Sequence, residues 1–152
     1  MNTPSSTLSD VAPPAAPPAN PRLRLVQAIV RTLLGLMFTV FGLNGFLNFI
    51  PPPPDPGPEE AMAFGAAMMA TGYMMPLVKG TEVAAGLLLL ANRFVPLALV
   101  VLAPVIVNIV AFHVFLAPAS SAMAFVILAM ELFLAWSYRV AFRLLLQPRF
   151  VG

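Results

Sequence analysis

The chain has 152 residues, of which 60% are hydrophobic and only 9% are charged, whereas about 25% of the residues in ordinary globular proteins are charged. A soluble fold of this size could not bury that much apolar surface, so lipid must form part of the solvent. The net charge of +2 is too small and scattered for a nucleic-acid-binding face, and the absence of cysteine excludes disulfides, thiol relays and cysteine-ligated iron–sulfur clusters.

The first segment, residues 1–21, is rich in Pro, Ala, Ser and Thr and has no apolar periodicity. This composition predicts a disordered cytoplasmic tail. The apolar stretch 25–50 follows. It is about twice as long as the hydrophobic region of a signal peptide, and no small-residue cleavage site follows it, so we predict a retained membrane-spanning helix.

A block of prolines between 51 and 58 ends this first span, because successive prolines remove backbone donors and impose an extended path. The stretch 59–71 is rich in Ala and Met and too short to cross a bilayer. Glu59 and Glu60 follow Pro58, and acidic residues are favourable at the positive end of a helix. We therefore predict a short interfacial or re-entrant helix.

Three further apolar runs, 73–92, 94–116 and 122–138, complete the pattern, and a basic amphipathic segment continues to Arg149. The connections between the last three runs are very short, which predicts antiparallel neighbours. The expected fold is all-α: an integral membrane four-helix bundle over 22–147, with a short interfacial helix and a disordered N-terminal tail.

The basic residues predict the orientation of the bundle. With four spans, all of them except Lys79 fall on one side of the membrane, and the opposite connections carry acidic residues only: Asp55, Glu59 and Glu60. The positive-inside rule makes the basic side cytoplasmic. We expect a bacterial inner-membrane protein with both termini in the cytoplasm.

Polar residues inside the spans mark a candidate site. Counted from the outer end of each span at about 1.5 Å per residue, they lie within about 15 Å of the outer surface: Asn44, Lys79, Glu82, Asn108, His113 and Glu131. Ionisable side chains inside a membrane usually face the bundle interior, find partners and mark a functional cavity. The sequence thus predicts a polar cavity that opens towards the periplasm.

Spacing assigns roles within this cavity. Lys79 and Glu82 share one helical face and can form an ion pair, with Glu131 of the last span as a second carboxylate. We predict that Glu82 and Glu131 exchange protons and that Lys79, Asn108, His113 and Asn44 bind the substrate. By the helical period His113 points about 140° away from Asn108, which favours the mouth of the cavity over its floor.

Other interpretations of the same residues stay open. Buried polar residues can simply fix the registry between helices, and a shallow histidine can simply face water. The methionines of 62–75 suit Cu(I) as thioether ligands, but they have no regular spacing and no second histidine, and adaptable packing is the commoner role of Met. No metal site is predicted.

Two segments resemble the DoxX family of small bacterial membrane proteins. They are RTLLGLMFTVFGLNGF at 31–46 and KGTEVAAGLLLL at 79–90, in which Glu82 and Gly86 match the glutamate and glycine of the family's second span. The resemblance extends over about residues 25–140 in the same four-span order. It implies an association with thiosulfate:quinone oxidoreductase subunits or with membrane complexes that handle oxidative stress.

Two classes of function follow. The first is a subunit or accessory of a quinone-linked membrane redox system, with a quinone or a small anionic molecule as ligand and any sulfur chemistry done non-covalently or by a partner. The alternative is a non-enzymatic membrane protein, either a scaffold for a membrane or periplasmic partner or a small permease. The second class is motivated by the lack of a nucleophile–base pair, a phosphate loop or metal-ligand spacing in the sequence.

Overall fold

The computed structural model describes residues 20–52 and 54–145. These residues form helices and no strand: α1 (Pro21–Leu47), α2 (Glu59–Ala70), α3 (Met74–Leu90), α4 (Val95–Phe115), a 3₁₀ turn (Pro118–Ser120), α5 (Ser121–Ser137) and α6 (Arg139–Leu145). The all-α prediction is confirmed. The predicted disordered tail lies outside the described residues apart from its last two positions, as does the end of the basic segment at Arg149.

Local sequence sets both ends of α1. The Asn20 side chain accepts a hydrogen bond from the backbone N–H of Arg22 (3.1 Å), and Pro21 occupies the first turn, where a proline costs no helical hydrogen bond. At the other end Asn48 adopts the left-handed conformation (φ 49°), which asparagine tolerates better than most residues. The helix therefore stops just before the proline block.

The chain turns sharply between α2 and α3. The two helices are bent by 93° relative to each other. Gly72 lies at the bend with φ +75°, a conformation in which a side chain would be strained. The Thr71 hydroxyl donates to the carbonyl of Met68 (2.7 Å) and accepts from the backbone N–H of Met74 (3.0 Å). One side chain thus satisfies backbone groups at the end of α2 and at the start of α3.

Helix length and composition identify the membrane-crossing elements. Three stretches are long and apolar enough to span a bilayer, α1, α4 and Pro118–Ser137, and a fourth span results if the bent pair α2–α3 counts as one. Helix α3 has 17 residues, about 26 Å of helix, which is slightly less than the ~30 Å of a hydrocarbon core. The protein is a multi-pass membrane protein, and the span that the sequence predicts at 73–92 is this shorter helix.

The buried core is apolar and lies between α1, α3, α4 and α5. Its fully buried large side chains are Leu34, Leu89, Leu99, Leu102, Ile106 and Leu134. The outer faces of the same helices carry many exposed large hydrophobic side chains. In a bilayer those faces contact lipid, because lipid tails are as apolar as leucine.

The tightest packing joins α1 to α3. A Cβ placed on Gly86 would lie 2.8 Å from the backbone nitrogen of Thr39 and 2.9 Å from the carbonyl oxygen of Gly35. A Cβ on Gly42 would lie 2.8 Å from a methyl carbon of Val83. Small residues on both helices therefore allow the two backbones to approach closely.

A half-buried arginine links α1 to α3 near the end of the bundle at which α1 starts. The guanidinium of Arg31 donates to the carbonyl of Leu89 in the last turn of α3 (2.6 Å). A cation is favourable there because the last carbonyls of a helix lack helical partners and carry partial negative charge. The contact shows that α1 and α3 run antiparallel, so the α3–α4 turn with Arg93 lies at the same end.

Candidate functional site

A cavity of about 440 Å³ lies between α2, α3 and α4, within the size range of ligand pockets, about 300–1,000 Å³. It lies in the half of the bundle that holds α2, away from the Arg31 end. Its walls are mainly apolar and aromatic, and four polar side chains reach it: Lys79, Glu82, Asn108 and His113. These four all belong to the substrate-binding and proton-exchange residues that the sequence predicts.

The predicted Lys79–Glu82 ion pair is confirmed. The ammonium Nζ of Lys79 lies 2.9 Å from Oε2 and 3.2 Å from Oε1 of Glu82, and this is the one salt bridge within residues 20–52 and 54–145. The side chain of Glu82 is only 5% exposed and that of Lys79 is 25% exposed. The carboxylate is therefore largely shielded from solvent, whereas the ammonium is partly exposed.

Helix α1 packs against both members of the Lys79–Glu82 pair. The Cβ position of Gly45 lies against the aliphatic part of Lys79, including Cδ at 2.7 Å, and that of Gly42 lies 3.1 Å from Cβ of Glu82. A larger residue at Gly45 would push the lysine side chain aside. The glycines of the first span thus set the position of both charges, a role that packing alone explains.

Helix α4 supplies Asn108 and His113. Asn108 is exposed and makes no side-chain hydrogen bond within the described residues. Nδ1 of His113 lies 2.7 Å from the carbonyl oxygen of Ile109, one turn earlier in the same helix. The sequence separates these two side chains by about 140° around the helix, yet both line the cavity because it wraps around this face of α4.

Helix α2 covers the cavity and was missing from the predicted site. It contributes four residues at helical spacing: Ala61, Phe64, Gly65 and Met68. The ring of Phe64 lies 5.7 Å from that of Phe112 on α4, centroid to centroid. The signal was present in the sequence, since positions i, i+3, i+4 and i+7 share one helical face, but the direction of that face depends on the bend at Gly72.

Two predicted residues do not line the cavity. Glu131 lies on the α5 face that also carries Ala124, Ile127 and Leu134, and it is buried. Its Oε2 has no hydrogen-bond partner among the described residues, and Lys79 pairs with Glu82 instead. Its proton-exchange role stays a prediction. The depth predicted from the sequence put the Glu131 carboxylate near the Lys79–Glu82 pair, but the orientation of α5 turns it into the core.

Asn44 has a local contact instead of a cavity contact. Its side-chain oxygen accepts a hydrogen bond from the backbone N–H of Ile50 (2.7 Å), and its backbone carbonyl accepts from that of Asn48 (2.9 Å). Both bonds satisfy backbone groups where α1 ends. The geometry gives Asn44 a capping role, and its predicted substrate contact stays untested.

The same geometry bears on metal binding. Within the described residues, no three His, Cys, Asp or Glu side chains lie close enough to hold a metal ion. Met68, Met75 and His113 all line the cavity, so thioether and imidazole groups do share it.

Similarity to a known protein family adds to these geometric observations. The model of the DoxX family matches residues 26–115, which run from α1 to the end of α4 and include all four polar cavity residues. The match ends before α5, so Glu131 lies outside it. No curated protein and no solved structure matches the chain significantly. Since the match covers more than half of the chain and contains both segments singled out in the sequence, the protein belongs to the DoxX family.

Proposed function

We propose that this DoxX-family protein binds the head group of a membrane quinone, as a subunit or accessory of a membrane redox system. The observation that carries the proposal is the Lys79–Glu82 pair, with its buried carboxylate, beside a 440 Å³ cavity with apolar walls. A ligand site of this kind combines hydrophobic and aromatic walls with a few polar groups that fix orientation. A quinone has the matching chemistry, a flat apolar ring with two polar oxygens.

The polar groups of the cavity suit such a head group. The Lys79 ammonium has three N–H donors and contacts only Glu82 within the described residues, so it can still donate to a ligand oxygen. Asn108 offers a carboxamide on the opposite helix. Phe64 and Phe112 form an aromatic wall, and aromatic rings pack well in offset or edge-to-face arrangements.

The cavity is reached from the side of the bundle. Pro104 and Asn108 on α4 are exposed although they line it. In a bilayer that side faces acyl chains, so a lipophilic ligand arrives through the membrane and its tail remains in lipid. This route favours a quinone over the small anionic molecule that the sequence also allowed.

We place the protein in the bacterial inner membrane with both chain termini in the cytoplasm. Exposed arginines lie at the start of α1, in the α3–α4 turn and after α5, whereas the connection before α2 carries Asp55 and α2 itself begins with Glu59. The positive-inside rule assigns the arginine end to the cytoplasm. The cavity then lies in the periplasmic half of the bilayer, where a membrane or periplasmic partner can reach it.

The test uses two alanines of α2 that differ only in the direction they face. Ala61 lines the cavity, whereas Ala63 is exposed and does not line it. Helix α2 has no buried residue, so neither Ala61→Phe nor Ala63→Phe is expected to disturb the core. Ala61→Phe places a benzyl group in the cavity and should weaken quinone binding at least about tenfold, which is the effect of losing roughly 1.4 kcal/mol.

Binding is measured by native mass spectrometry and by equilibrium dialysis of the full chain in nanodiscs, with a benzoquinone that carries a ten-carbon tail. Wild type and Ala63→Phe should bind one quinone, and Ala61→Phe should not. If wild type binds no quinone, the redox proposal fails. Transport of a solute into liposomes would then favour the permease, and capture of a stable partner without quinone would favour the scaffold.

A further inference from the structure

His113 is the single histidine of the chain, and its hydrogen bond defines where its proton lies. Nδ1 is 2.7 Å from the backbone carbonyl oxygen of Ile109. A carbonyl oxygen only accepts hydrogen bonds, so Nδ1 must be the donor. In the neutral ring the other nitrogen, Nε2, then carries a lone pair and can only accept.

The same contact decides which edge of the ring is available to a ligand. The Nδ1 edge is turned back onto α4, and Nε2 has no partner within the described residues. Since His113 lines the cavity, Nε2 is the polar edge that it can offer there. His113 is half-buried, and a ligand that covers Nε2 without donating a hydrogen bond leaves this acceptor unpaired, which is costly. A well-matched ligand therefore supplies an O–H or N–H group.

The surroundings of His113 add the shape of that ligand. The Phe112 ring packs edge-on against the imidazole (centroids 5.2 Å apart, 77° between planes), and Phe64 packs on Phe112. This aromatic wall suits a flat ring that carries the hydroxyl. At the α3 side of the cavity, Lys79 can donate to a ligand oxygen and Glu82 can accept from it.

We propose that the cavity selects the reduced, hydroxyl-bearing form of the head group, a hydroquinone or simple phenol, over the oxidised quinone. The inference rests on the proposed function and names the ligand class of the same site. A hydroquinone donates its O–H to Nε2 of His113. A quinone presents a carbonyl oxygen there, and two acceptors facing each other repel.

The test separates hydrogen bonding from redox chemistry by using a matched pair of probes, 4-decylphenol and its methyl ether. The two share a ring and a tail, and only the phenol has a donor. Full-length protein in nanodiscs, prepared without a histidine tag, should bind the phenol at least about fivefold more tightly, because the ether covers Nε2 without donating a hydrogen bond to it. His113→Phe should remove this preference, and Ala63→Phe, whose side chain lies outside the cavity, should retain it.

Nitrogen-15 labelling of histidine gives a readout that needs no variant. Because the chain has one histidine, its spectrum contains a single pair of imidazole signals. The expected spectrum of the neutral ring shows a protonated Nδ1 and an unprotonated Nε2. The Nε2 signal should shift when the phenol is added and stay in place when the methyl ether is added.

The outcomes separate the two proposals. A proton on Nε2, or equal binding of the phenol and the ether, overturns the preference for a hydroxyl and leaves quinone binding standing. Tighter binding of a ten-carbon-tailed benzoquinone than of its hydroquinone under anaerobic conditions overturns it as well. If none of these molecules binds, both the preference and the proposed function are wrong.

Discussion

The contact between α1 and α3 makes a quantitative prediction for Gly86→Ala. The added Cβ would lie 2.8 Å from the backbone nitrogen of Thr39 and 2.9 Å from the carbonyl oxygen of Gly35, whereas ordinary van der Waals contact begins near 3.4 Å. The nearest atom is the Thr39 hydroxyl oxygen at 2.5 Å, which can rotate away, but the two backbone atoms cannot. The two helices must separate by about half an ångström, and a gap of 0.5–1 Å forfeits roughly a quarter to a half of each pairwise attraction.

The loss in unfolding free energy depends on how much of the packing between α1 and α3 this separation weakens. Inserting a methyl group into a well-packed core typically costs about 1–3 kcal/mol, and α1 packs more extensively on α3 than on any other helix of the described chain. We expect Gly86→Ala to lower the free energy of unfolding by about 2 kcal/mol. The control is Gly80→Ala on the same helix, where a Cβ meets nothing within 4 Å and alanine gains helix propensity, about 0.5–1 kcal/mol.

The assay is reversible unfolding in mixed micelles, in which the SDS fraction is raised and helicity is followed by circular dichroism. Gly86→Ala should unfold at a lower SDS fraction than wild type, and Gly80→Ala at the same or a higher one. Equal midpoints for the two variants would refute the reasoning. They would mean that the close approach of α1 and α3 contributes nothing measurable to stability.

Four further variants test the charged side chains and the candidate site. Arg31→Gln should lower the unfolding free energy in the same assay by about 1–3 kcal/mol, because the Leu89 carbonyl loses a charged donor; an unchanged midpoint would contradict the capping role. Lys79→Met leaves the Glu82 carboxylate buried without its partner and should cost about 3–5 kcal/mol, most of which the double variant Lys79→Met/Glu82→Leu should recover. Gly45→Ala displaces the flexible Lys79 side chain, so it should weaken binding of the ten-carbon-tailed quinone while the unfolding midpoint stays near that of wild type.

Most helix boundaries could be predicted because they depend on neighbours in the sequence. The proline block after Ile50, the acidic pair after Pro58 and the short connections near Arg93 and Pro118 each fix an end locally. Observed ends fall within four residues of the predicted ones, and most fall within two, the range over which helix ends fray. The sharp bend at Gly72 was not predicted, because a glycine permits a positive φ without requiring it.

Part of the candidate site could also be predicted, and for the same reason. Lys79 and Glu82 lie three residues apart, so the helix alone brings them together. The position of Glu131 could not be predicted in this way, because it depends on how α5 is oriented relative to α3. The depth of a residue in its span carries no information about that orientation. The contribution of Phe64 and Met68 to the cavity depends on the orientation of α2, which follows from the bend at Gly72.

The sequence by itself determined that the chain is a membrane protein of apolar helices. Its long apolar runs contain few charged side chains, and a charge is costly in lipid at any position of any helix. The sequence also determined which family the chain belongs to and that Lys79 pairs with Glu82. Tertiary structure alone decided that His113 and Asn108 share a cavity under α2 while Glu131 lies in the core. The physical reason is that the depth of a residue follows from its position along a single helix, whereas a shared cavity depends on how separate helices rotate and cross.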